Sequence, residues 1–220
     1  LNNVLGQHDA FTLSYAGVSQ IKQLQYISGN YRQVLNSEGL TGFVNGSYSW
    51  GKPGTQTLEA LEFTTRSTIV EAGAFYPVVR ARERNLTLTG LAFMSDNYSD
   101  ILAQPFNVDR LRGFRGKADA DIADSLQGIN QFNVTVSQGI KGLGSTENGN
   151  PLASRAAGRV DFSKLEGTIG RMQPLPARFS AYASLYGQYA GTSLLTSEQC
   201  GYGGRFFGRA FDPSQLIGDH

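Results

Sequence analysis

The chain has 220 residues, of which 17% are charged and 40% apolar, and its formal net charge is +1. Its 27 glycines amount to about 12% of the residues, against roughly 7% glycine and 25% charged residues in average proteins, which argues against an ordinary helical enzyme. A near-neutral balance offers no basic stripe to displace counterions from phosphates, so nucleic acid is excluded as an expected partner, and the single Cys200 excludes a disulfide scaffold or a multi-cysteine zinc site.

No run of about 18 apolar residues exists, so no helix is expected to span a membrane, but a membrane barrel needs only about ten alternating residues per strand. In chain order, period-two alternation predicts strands over 11–18, 27–35, 40–50, 68–76, 85–93, 108–122, 129–140, 160–172 and 177–190. Phe43 and Phe93 break the pattern by standing on the polar face, and 108–122 alternates poorly. Helical periodicity is almost absent, so the expected fold class is all-β, an antiparallel meander.

The predicted connections alternate in length. Short ones at 36–39, 77–84, 124–128 and 173–176 separate long ones at 51–62, 95–107, 141–158 and from 191 onward. Long loops at one end and short turns at the other are the layout of an outer-membrane barrel, and Tyr48, Trp50, Tyr76 and Tyr189 stand near strand ends as interfacial girdles do. Nine strands cannot close an even-numbered barrel. Together with a start at Leu1 and an end at Gly218-Asp219-His220, this predicts a piece of a longer chain whose sheet is incomplete at both ends.

By parity Arg32, Glu71, Lys164, Glu166 and Arg178 project to the polar face, which a water-filled lumen tolerates and a dry β-core does not. Simple solvated lining explains any one of them. The only histidines, His8 and His220, lie at opposite ends, and no nucleophile elbow, nucleotide loop or zinc-protease motif occurs. Neither catalytic residues nor a cofactor is expected. Asp119, Asp121 and Asp124 form an acidic cluster without the glycine and distal glutamate of a calcium loop, so a solvated turn is expected and no metal site. The Asn-x-Ser/Thr triplets at Asn45, Asn85, Asn97 and Asn133 mostly begin or lie inside strands and carry no weight as glycosylation acceptors.

Residues 194–220, LLTSEQCGYGGRFFGRAFDPSQLIGDH, resemble the sixth extracellular loop of the two-partner secretion transporters, the ShlB/FhaC/HecB haemolysin secretion/activation family. NNVLGQHDAFTLSY at 2–15 is similar to the family's N-x-x-G-x-x-D turn and strand, and EAGAFYPVVRARERNLTL at 71–88 to its Y-P-x-x-R element. VDFSKLEGTIGRMQPLP, followed by Tyr186-Gly187-Gln188, agrees in order. The resemblance implies a transmembrane barrel of roughly sixteen strands, preceded by POTRA domains absent from this segment. Residues 1–220 would be its central part, with the long loop over 191–220.

What the resemblance further implies is a transporter, not an enzyme, that secretes a large unfolded TpsA-type partner across a Gram-negative outer membrane without ATP. The barrel would be monomeric and seated in outer-membrane lipid. In the family, an arginine at the loop tip meets an acidic group of the inner wall. By motif position the tip is Arg209-Ala210-Phe211, with Ala210 where the family has glycine, flanked by Gly203, Gly204, Asp212, Gly218 and Asp219. Two other readings stay open: a barrel-assembly insertase of the same superfamily, and a soluble all-β glycan-binding or adhesion module.

Overall fold

The computed structural model describes residues 2–18, 23–52, 56–203 and 216–220. Nine antiparallel strands form one sheet in sequence order: β1 (Asp9–Gly17), β2 (Gln25–Val34), β3 (Thr41–Gly51), β4 (Thr64–Arg80), β5 (Arg84–Ile101), β6 (Gln104–Ala123), β7 (Ile129–Gly139), β8 (Ser163–Pro174) and β9 (Ser180–Ala190). A short helix α1 (Gln56–Ala60) lies between β3 and β4, and β10 (Cys200–Tyr202) pairs with β11 (Leu216–Gly218) in a separate two-stranded ribbon. Among the described residues β1 and β9 do not pair with each other, so the sheet is open.

The ladder sorts side chains by parity, because residues directly opposite each other share a face. One face carries Leu13, Val44, Leu88, Phe114, Val136, Leu165, Ile169 and Leu185, all exposed and apolar. The other carries Asn30, Asn45, Glu71, Arg115, Thr135, Lys164, Glu166 and Gln188. A soluble sheet packs its apolar face inward, whereas here, among the described residues, that face has no protein against it. Charges reappear with outward parity toward the strand ends: Arg66 pairs with Asp100 at 2.8 Å and Arg112 with Asp96 at 2.6 Å at the end that carries the long connections, and Arg171 pairs with Asp124 at 2.5 Å at the short-turn end.

The buried apolar cluster lies on the polar face, under loops. Leu91, Phe93 and Leu111 of the sheet pack with Val160, Phe162, Leu194 and Leu195 from the connections after β7 and β9, and Phe43 borders them. This gives a physical reason for the two phenylalanines that break the alternation: they hold chain that folds back over the sheet.

Several strand bounds differ from the sequence reading: β4 runs over Thr64–Arg80 where the alternation predicts 68–76, taking in part of the connection expected at 77–84, and three further differences bear on the loops. Residues 95–107 are not a long loop but the ends of β5 and β6, joined by a two-residue turn in which Leu102 (φ 49°) and Ala103 (φ 59°) are both left-handed. Such a turn matches the twist of the flanking strands, and it usually announces itself as Asn-Gly, where this turn has Leu102-Ala103. Strand β8 begins at Ser163, leaving Val160 and Phe162 as loop residues buried in the cluster. Strand β9 begins at Ser180 because Ala177 (φ 60°) and Arg178 (φ 68°) turn the chain before it.

Candidate functional site

The polar face carries a continuous chain of hydrogen bonds and ion pairs across the sheet. On β2 and β3 the Asn30 side-chain amide donates to the Asn45 carbonyl, and Asn45 Nδ2 donates to Glu71 Oε2 of β4 at 3.4 Å. Glu71 Oε1 accepts from Arg115 Nη1 of β6 at 3.3 Å. The Arg115 guanidinium lies 4.0 Å above the Phe93 ring centre, a cation–π contact, and its Nη2 donates to Glu198 Oε1 at 2.6 Å.

Glu198 belongs to no strand of the sheet. It sits in the segment after β9 and is 5% exposed. Its second carboxylate oxygen accepts from Lys164 Nζ of β8 at 2.7 Å, and Lys164, 6% exposed, also reaches the Glu198 backbone carbonyl at 3.2 Å and Glu166 Oε2 at 3.3 Å. The Tyr186 hydroxyl of β9 closes the chain 3.0 Å from Glu166 Oε1. One loop carboxylate therefore bridges two cations from strands that are not neighbours in the sheet. Setting five alternating charges in one row, with Glu198 and Lys164 buried, is tolerable only because each is paired.

The far leg of the same loop is tied down as well. Asp219 Oδ1 accepts from Arg155 Nη1 at 2.6 Å and from Gln199 Nε2 at 2.9 Å. Burial pushes this carboxyl upward, but the Arg155 and Gln199 hydrogen bonds outweigh it and hold the pKa below the ordinary value. The Asp219 carbonyl accepts from Gln188 Nε2 at 3.2 Å.

Of the residues singled out in the sequence, Glu71, Lys164 and Glu166 come together in this network. Arg32 stands on the same face of β2, opposite Phe43, and is exposed. Arg178 is not on a strand face at all: it lies exposed in the turn before β9, because the left-handed backbone at Ala177 and Arg178 ends the alternation there. Gly203 (φ 108°) follows β10, and Gly218 pairs with Cys200. Gly204, Arg209, Ala210, Phe211 and Asp212 lie outside the described residues. Asp119, Asp121 and Asp124 do not converge: the first two meet Asn133 and Gln131 of β7, and Asp124 closes the β6–β7 turn through Leu126, Gly128 and Arg171.

Sequence reasoning missed Arg115 and Glu198. Arg115 lies on the strand whose alternation is poorest, and Glu198 lies in a loop where parity has no meaning.

Along residues 1–220 the chain matches the family model described as haemolysin secretion/activation protein ShlB/FhaC/HecB. It belongs to that family. Two solved structures are similar to it: CdiB from Escherichia coli, with a TM-score of 0.75 at 15% identity over 96% of this chain, and CdiB from Acinetobacter baumannii, with a TM-score of 0.68 at 13% identity over 99%. The chain spans 40% and 39% of those two chains. No curated protein matches it in sequence. The likenesses show the fold: the open nine-stranded meander of this ShlB-family chain is part of a transmembrane β-barrel. In such a barrel the outward band is apolar and the interior polar, the same division that the two faces of this sheet show.

Proposed function

We propose that this chain is the central barrel part, residues 1–220, of an outer-membrane polypeptide transporter that secretes a large unfolded partner protein by two-partner secretion. The partner is a TpsA-type haemolysin, adhesin or contact-dependent toxin, and the transporter resides as a monomer in the outer membrane of a Gram-negative bacterium. No ATP is consumed; folding of the passenger outside biases its movement outward. The observation that supports this best is the pairing of an exposed apolar face with a lumen face carrying Glu71, Arg115, Lys164 and Glu166. An uncharged or sealed interior would give an extended polar chain nothing to exchange its hydration against.

In this reading the loop over 191–220 enters the lumen, and Arg209 at its tip meets an acidic group of the inner wall. The test uses the complete transporter and its partner in a strain lacking both. The partner is expected in the medium only when the transporter is present, and Arg209→Ala is expected to abolish secretion while the barrel remains assembled in the membrane. Secretion independent of the transporter would end the proposal, and normal secretion by Arg209→Ala would remove Arg209 from it.

A further inference from the structure

The contacts of the loop after β9 divide it into two legs. Its first leg, 191–199, is built into the wall. Gly191 N donates to Ser163 O at 3.0 Å and Arg159 N to Ser193 O at 2.9 Å, while Leu194 and Leu195 are buried against Phe93, Leu111, Val160 and Phe162. Glu198 then plugs between Arg115 and Lys164. The returning leg is held through Asp219 by Arg155 and Gln199, and the ribbon pairs Cys200 with Gly218 and Tyr202 with Leu216.

We infer that the stem of this loop is a fixed collar on the lumen wall, with Glu198 as its positioning residue, and that the stem keeps these contacts while a partner is transported. The inference rests on the transporter reading and deepens it. Glu198 has the geometry for the task. Each of its carboxylate oxygens takes one cation, at 2.6 and 2.7 Å, and the two cations come from β6 and β8. Moving the stem would leave a carboxylate, two cations and an apolar patch to be resolvated together, so the stem moves all at once or stays. If Glu198 is removed, Arg115 keeps Glu71 and Lys164 keeps Glu166. The charges of the wall remain paired, and the loss falls on the loop alone.

The complete transporter, purified and placed in planar lipid bilayers, gives the first readout. Glu198→Ala is expected to raise single-channel conductance severalfold, because a released stem uncovers the lumen, and Glu198→Gln to raise it less, since the amide oxygen still accepts from one cation. Heat-modifiable migration on gels should remain that of the parent in both. Parent-like conductance in both variants would overturn the role of Glu198.

The second readout tethers the stem. With Cys200→Ser as background, Arg159→Cys and Ser193→Cys are linked by oxidation or by a short bis-maleimide, and secretion of the partner is compared before and after linking. A fixed collar predicts the same secretion in both states. A block on linking, relieved by reductant for the disulfide, would overturn the inference. Failure of the unmodified parent to secrete at all would instead count against the transporter reading, leaving the conductance comparison to judge Glu198 separately.

Discussion

Gly113 lies under the ring of Phe93 across the β5–β6 ladder, so closely that a methyl group at 113 would stand 2.8 Å from the ring and 2.3 Å from the Gln138 carbonyl oxygen. The missing side chain makes room for the phenylalanine that carries Arg115 on its face and the loop cluster at its edge. Gly113→Val is expected to destabilise the complete barrel by about 1–3 kcal/mol through overpacking. Gly116→Ala, where an added methyl meets nothing within 4 Å, should be near neutral. The check is the temperature at which each variant loses its folded migration on gels.

Phe162 is fully buried although it lies outside any strand, packed in the cluster that also holds Leu194 and Leu195. Phe162→Ala is expected to cost about 3–5 kcal/mol of the docking of chain over the sheet. Limited proteolysis of intact cells should then cut within 141–162, with the parent resistant under the same conditions.

Ile169 and Thr168 are adjacent on β8 and face opposite ways. Ile169 is exposed on the apolar side, whereas Thr168 lies between Asn133 and Tyr186. A lysine facing the bilayer midplane costs about 2–4 kcal/mol, and one facing a wet lumen costs little. Ile169→Lys should therefore reduce the fraction of chain assembled in the membrane, and Thr168→Lys should leave it unchanged. Equal assembly of the two would contradict the assignment of faces.

Acid is expected to leave the long connection after β7 untouched until far below neutrality. Hydrogen bonds from Arg159, then Asn148, hold the Asp161 carboxyl well below the usual carboxylate range. A depressed folded pKa contributes stability above the unfolded value and loses it as pH falls through the folded one. Amide exchange over 141–162 should be flat in its opening free energy from pH 8 down to about 4 and weaken only below that. Asp161→Asn should remove the acid-dependent part while weakening the connection at every pH.

Strand existence and the sorting of faces were legible, because an apolar surface on one side and a polar one on the other impose alternation over the middle of β7, β8 and β9. The ends of strands were not. The β5–β6 turn uses Leu102 and Ala103, which carry no turn chemistry, so strand read as loop. Strand β6 alternated poorly for a reason now visible: Leu111 and Gly113 serve the buried loop cluster on the lumen side, while Arg110 and Arg112 have outward parity near the hairpin end and pair with Tyr98 and Asp96. Glu198 was invisible because its role arises from where a loop lands, and no local period records that.

Strand β6 changes partner part-way along. Its ladder with β7 reaches only as far as Gly113. Beyond that the following connection takes over: Ile140 N donates to Arg112 O at 2.9 Å, Thr146 N to Arg110 O at 3.0 Å, and Val108 N donates to Leu152 O at 2.7 Å. An uncovered strand edge of that length would be a template for pairing with any neighbouring chain. Irregular chain seals it without extending the sheet, so a tall hairpin can stand above its neighbours without recruiting other strands edge to edge.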